Sequence, residues 1–260
     1  MASRGVRRDE PRQAGYSLRA EYEDSRKQWV ARQRRSIWLS ALWWGPAAVV
    51  FGVLAGVGTR YALFGLLVAV LAVAAVIDAG FRHPQSMDRI KARADAESGT
   101  ARALHMLEIR SGARILHDRV FTPYGGESFD VEHLVISPRG VFLVDSKQWH
   151  GFDVRLLSKE LFVNHVDQAE AMRKMQANAS ELGDALAEAG AADEEVGVVD
   201  VTSVLALHAD GITGTPRVLN GVIVVRPEQL SEMLRTADLR WSASATASLL
   251  AAAESLLPPR

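Results

Sequence analysis

Hydrophobic and polar positions divide this chain into two unlike parts. Between Ile37 and Ala79 the only formal charges are Arg60 and Asp78. The run at residues 37–57, IWLSALWWGPAAVVFGVLAGV, supplies about the twenty apolar residues that a helix needs to cross a bilayer, and residues 61–80 supply a second run of similar length. Neither run has the polar face expected of a helix in a globular core. The pattern predicts a two-helix transmembrane hairpin over residues 36–80. Trp38, Trp43, Trp44 and Tyr61 lie towards the ends of the runs, where amphipathic rings favour the interface.

Beyond the hairpin the pattern changes to short periodic segments. Residues 87–110 have helical spacing, with Ala92, Ala96, Ala103, Leu104 and Leu107 among the apolar positions, and Ser111-Gly112 closes the helix. Strands are predicted at residues 114–121, 131–136 and 141–144, then a helix at 166–189. Further strands at 201–207 and 221–225 and helices at 227–235 and 242–256 complete the series. A meander followed by strands separated by a helix predicts an α/β domain whose mixed sheet is flanked by helices.

Charge places the parts relative to a membrane. Residues 1–36 carry ten Lys or Arg against five Asp or Glu; Arg34 and Arg35 precede the first run, and Arg82, Arg89, Lys91 and Arg93 follow the second. Cations on both outer flanks place both termini in the cytoplasm and leave only a minimal outer turn at residues 56–60. The basic N-terminal segment suits contact with anionic headgroups better than a nucleic-acid arm, because Asp9, Glu10, Glu21, Glu23 and Asp24 are mixed into it. The chain has no cysteine, which excludes disulfides, thiolate metal sites and a cysteine nucleophile. No phosphate loop, dinucleotide fingerprint or His-Glu-x-x-His is present.

The candidate chemistry sits in FDVEHLVISPRGVFLVDSKQW, residues 129–149, where Glu132, Asp145 and Lys147 interrupt two apolar strands. A carboxylate beside another carboxylate needs a cation or hydrogen bonds to compensate. An acid on one strand and Asp-x-Lys on the next therefore predict a site that holds a divalent cation and acts on phosphodiesters. Ser137-Pro138-Arg139-Gly140 reads as a tight turn. With only Pro138 and Arg139 in the loop, Glu132 falls opposite Asp145, with Cβ atoms about 5 Å apart. With a bulge at Gly140, the register moves by one and Glu132 faces away. Asp145 and Lys147 share a face in either case, and His133 points away from Glu132 and is read as a structural hydrogen-bonding residue. Trp149 is read as a packing cap; His117 and Asp118 are read as structural, and Lys159, His165 and Arg173 as surface residues.

AESGTARALHMLEIRSGARILHDRV followed by FDVEHLVISPRGVFLVDSKQWHG resembles the NERD (nuclease-related) domain, a family grouped with the PD-(D/E)xK restriction-endonuclease-like enzymes. The resemblance spans about residues 94–208. It implies a restriction-endonuclease-like sheet, Glu132 and Asp145 as ligands of Mg²⁺ or Mn²⁺, Lys147 orienting water or stabilising phosphorane charge, and Glu97 as an auxiliary ligand or water-positioning acid. Glu132 stands where the family usually has Asp, and Ala96 where it usually has Gly. The domain plan is then a basic segment 1–35, the hairpin 36–80, a linker 81–93, the nuclease-like domain 94–208, and a strand and helices at 209–260 that complete it.

The function expected from this reading is a membrane-anchored, Mg²⁺- or Mn²⁺-dependent endonuclease acting on DNA or RNA, with DNA the favoured partner, at the cytoplasmic face of the cell membrane. The alternative is a catalytically inactive nuclease-fold scaffold at the membrane. The thin set of basic residues, Arg114, Arg119, Arg139, Lys147, Arg155 and Lys159, favours the alternative; the complete acid-acid-x-Lys set favours the enzyme.

Overall fold

The computed structural model of the protein describes residues 19–32, 35, 85–157, 160–190, 197–210, 212 and 214–260. Both apolar runs, residues 1–18 and Lys159 lie outside the described residues. Among the described residues no helix is long and apolar enough to cross a membrane. The chain falls into two compact units, one formed around Ala92–Arg260 and the other within Ala20–Lys91. The described part of the second unit is helical, at residues 20–32, 35 and 85–91.

The larger unit is a mixed α/β fold. Helix α1 (Gln85–Ser111) runs back through most of the segment expected to be a linker and stops at Gly112, whose φ of +67° is a conformation that glycine adopts without steric cost. Strands β1 (Arg114–Phe121), β2 (Phe129–Ser137) and β3 (Gly140–Gln148) follow as an antiparallel meander. Then β4 (Val154–Leu157), β5 (Glu160–Val163) and β6 (Val166–Asp167) form a small separate sheet ahead of α2 (Ala169–Ala189). The chain continues through β7 (Val201–His208), β8 (Arg217–Leu219), β9 (Val222–Val225), α3 (Pro227–Thr236) and α4 (Ala243–Leu256).

The main sheet has the order β1-β2-β3-β7-β9-β8, antiparallel through β3 and parallel at β3–β7 and β7–β9. Short β4, β5, β6 and β8 have no counterpart in the sequence reading. Each is only two to four residues long, too short for alternation to stand out.

Two helices cover each face of this sheet. Leu134 and Ile136 of β2 and Val141 and Leu143 of β3 pack with Leu182 and Leu186 of α2 and Leu249 and Ala253 of α4. Val135, Phe142 and Val144 point the other way, against Leu104 and Leu107 of α1 and Leu230 and Leu234 of α3. These are the alternate positions that a pleated strand sends to opposite faces. Close approach of α2 depends on Gly183, where a Cβ would come within 2.4 Å of the Val199 carbonyl oxygen.

The Pro138–Arg139 turn takes the first of the two registers considered. Ser137 pairs with Gly140 and His133 with Val144, so no bulge intervenes.

One rung departs from regularity. β1 pairs with β2 from Arg114↔Ile136 to His117↔His133 and again from Arg119↔Val131 to Phe121↔Phe129, skipping Asp118 and Glu132. Asp118 has a φ of +50°. Phe121 and Val131 lie in the same core cluster as Leu116 and Leu134, although unbroken alternation would send them to the other face. Both strands therefore lose one step of alternation at the same rung, and Glu132 is the one β2 residue with no partner on either side. The outer edge of β1 is covered here by the chain's last residues: Val120 N–H donates to the Pro258 carbonyl and Arg260 N–H to that of Asp118.

A left-handed backbone costs a non-glycine residue about 1–2 kcal/mol, and a β-branched one more. Asp118→Gly is therefore expected to be more stable than Asp118→Ala by about 1 kcal/mol, with Asp118→Val lower still, in urea denaturation. The opposite order, which glycine shows in a regular strand, would contradict this backbone.

Candidate functional site

The skipped rung creates the site. In a continued β2–β3 ladder the Ser146 N–H would bond the β2 backbone; instead it donates to Glu132 Oε2 at 2.7 Å. The Glu132 side chain thus replaces a backbone rung in the seam between the strands. It is 7% exposed. From the seam it meets groups on both strands and on α1.

Three acids and two cations converge there. Asp145 and Lys147, two apart on β3, form an ion pair with Nζ–Oδ2 of 2.6 Å. Asp145 also lies within hydrogen-bonding reach of the Glu132 carboxyl. Arg93 of α1 donates from Nη2 to Glu132 Oε1 at 3.2 Å. Glu97, one helical turn further along α1, is 3% exposed and close enough for its charge to act on both Glu132 and Arg93.

The electrostatics follow from burial and crowding. Burial raises the Glu132 carboxyl well above the usual range, the Asp145 and Glu97 charges push it further, and Lys147 only partly opposes them. For Lys147, burial acts to lower the pKa, but Asp145 and Glu132 outweigh it and hold the ammonium charged. Arg93 is likewise raised, because Glu132 outweighs its burial.

The structure thus brings Glu132, Asp145 and Lys147 of the strand pattern together with Glu97, which the family resemblance named. Arg93 is the member that pattern missed, having been read as a cation flanking the membrane spans. A signal was present: positions 93, 97, 100, 104 and 107 form a single helical stripe. Its far end carries the core residues Leu104 and Leu107, and its near end carries Arg93 and Glu97.

Two polar networks brace the arrangement. Ser146 Oγ donates to Thr100 Oγ1 at 2.9 Å, and Thr100 Oγ1 lies 2.9 Å from His208 Nε2, tying β3 to α1 and β7. Behind Glu132, His117 and His133 stack edge to face, with 2.8 Å between their Nδ1 atoms. Burial lowers His133 well below the ordinary histidine range and His117 to about 4, so both rings are neutral and the short contact is an ordinary hydrogen bond. His133 is accordingly structural. Trp149 packs beside the Leu161 and Met172 cluster as a cap, and its backbone N–H donates to the His208 carbonyl. A surface cleft of about 350 Å³, lined by Asp95, Arg102, Gln148, His150, His208 and Glu228 among others, holds none of the four expected site residues.

Among the described residues, no group of three or more His, Asp or Glu side chains is arranged to hold a metal ion. The residues that could contribute to holding one are Glu132 and Asp145. Mg²⁺ commonly takes one or two carboxylates and keeps several waters, and the repulsion between buried Glu132 and the half-buried Asp145 beside it is what a cation relieves.

In comparison with known proteins, residues 92–208 match the family model of the nuclease-related domain, NERD. This span carries all five converging residues and the Ser146–Thr100–His208 chain. No curated protein and no solved structure matches the chain.

The buried histidines make stability depend on pH in a stated direction. His117 is depressed from 6.5 to about 4, so its contribution is complete above pH 6.5 and is lost as pH falls towards 4, up to about 3 kcal/mol. Glu132, raised in the fold, acts with the opposite sign. In urea titrations from about pH 7 to pH 4.5, His117→Gln is expected to lose less stability on acidification than the wild type. An equal loss in both would show that His117 is not held neutral.

Proposed function

We propose that the protein is a membrane-anchored, divalent-metal-dependent nuclease that hydrolyses phosphodiester bonds of DNA or RNA on the cytoplasmic side. The observation that carries the reading is the Glu132 carboxylate in the β2–β3 seam, in reach of Asp145 and beside the Lys147–Asp145 pair. The match of residues 92–208 to the nuclease-related domain supports it.

In this reading Glu132 and Asp145 would hold Mg²⁺ or Mn²⁺, which supplies polarisation of the phosphate and a bound water of lowered pKa. Lys147 stays protonated beside them and offers a compact positive charge to the phosphate oxygens as the attacking oxygen adds. Glu97, buried on α1, positions the attacking water or takes up its proton.

A second reading, a catalytically inactive nuclease-fold module at the membrane, is favoured by one observation: both candidate ligands already have internal cationic partners, Arg93 and Lys147.

Titration of the purified full chain with Mg²⁺ or Mn²⁺, using linear, branched and single-stranded DNA and RNA, separates the two. Cleavage is expected, falling about a hundredfold or more in Asp145→Asn and Lys147→Ala while circular dichroism stays native. Cleavage surviving both substitutions assigns the activity elsewhere, and no cleavage with either metal leaves the inactive module.

The membrane placement rests on the two apolar runs and their cationic flanks. Reporter fusions at Met1 and Arg260 are expected to report the cytoplasm. External protease digestion of the nuclease-like domain in intact cells would overturn that orientation.

A further inference from the structure

We infer that Arg93 is an internal counter-cation that occupies Glu132 in the metal-free protein and must leave it before a divalent ion can bind. The inference rests on the reading of Glu132 and Asp145 as metal ligands, and concerns how that site is kept closed.

Each oxygen of Glu132 already holds a donor. Oε2 accepts the Ser146 N–H at 2.7 Å and Oε1 accepts from Arg93 at 3.2 Å. The first bond belongs to the strand seam and cannot be released without disturbing β3. The second comes from a side chain that is 46% exposed, against 6% for the Glu132 side chain. One partner is fixed; the other can turn outward into water.

The charges make that exchange selective. Three acids, Glu97, Glu132 and Asp145, act on Arg93, and Lys147 is the cation opposing it. Without a metal the cluster needs Arg93, since a buried carboxylate beside two others is costly to leave uncompensated. A divalent ion between Glu132 and Asp145 would bring two positive charges into the same space and repel the guanidinium. Arg93 and the metal therefore stabilise the same carboxylate in mutually exclusive states, and metal affinity is lowered by the fraction of protein in which Arg93 holds Glu132. Once released, Arg93 stands at the rim of the site with its donors free for a phosphate oxygen, a group that a guanidinium can bind through paired hydrogen bonds.

The test is direct Mn²⁺ binding to the full chain, read as loss of the free-ion electron paramagnetic resonance signal without nucleic acid. Arg93→Gln and Arg93→Met, the second keeping the apolar stem, are expected to bind Mn²⁺ about tenfold more tightly than the wild type, on the scale of a partly buried ion pair. Arg102→Gln, which removes a charge from α1 away from the cluster, is expected to match the wild type. Equal or weaker binding in both Arg93 variants, with binding still abolished by Asp145→Asn, overturns the inference and leaves the metal site standing. Tightening in Arg102→Gln as well would reduce the effect to net charge and also overturn it. Absence of Mn²⁺ binding in every variant removes the metal reading itself and this inference with it.

Discussion

Everything in the candidate site depends on one hydrogen bond, from the Ser146 backbone N–H to Glu132 Oε2. A strand N–H in this position normally bonds a neighbouring backbone carbonyl. Giving it to a side chain is what allows a carboxylate to sit in the plane of the sheet rather than above or below it. From that plane Glu132 reaches Asp145 and Arg93 at once. The exchange is made possible by the matched irregularity at Asp118 and Glu132, where both strands lose one step of alternation without losing register. The edge strand that carries Asp118 is in turn held by the chain's last residues.

Crowding three acids together, two of them buried, is unfavourable unless compensation is built in. The fold supplies it in layers: the Ser146 N–H and Arg93 on Glu132, Lys147 on Asp145, and neutral His117 and His133 behind, adding no further charge. The Ser146–Thr100–His208 chain fixes the spacing between β3 and α1, and so between Asp145 and the helix that carries Arg93 and Glu97. Each of these contacts is local, yet together they join elements far apart in sequence.

Much of this was legible in the residues. Alternation and turn chemistry placed β1, β2, β3, β7 and β9 and all four helices of the larger unit within a few positions. The charges at Glu132, Asp145 and Lys147 stood out because they interrupt apolar strands. The register did not, because Ser137-Pro138-Arg139-Gly140 is compatible with a plain turn and with a bulge; the observed Ser137↔Gly140 pairing is the plain turn. The skipped rung was also hidden, since Asp118 is a polar residue near a strand end like many others, and nothing local announces a positive φ there. Arg93 was obscured by the membrane pattern, which accounts for cations after an apolar run without asking what a helix does with them next. Ser146 carries no charge to mark it between Asp145 and Lys147, although its backbone and hydroxyl hold two sides of the site.

The central claim, that the β2–β3 seam is a divalent-metal site, is tested most directly by anomalous diffraction from crystals of the full chain soaked in Mn²⁺. The account predicts a peak between Glu132 and Asp145, about 2.1 Å from a carboxylate oxygen of each, with the Arg93 guanidinium turned away from Glu132. A fully occupied peak elsewhere, with Arg93 still on Glu132 and no density between the two carboxylates, would contradict it.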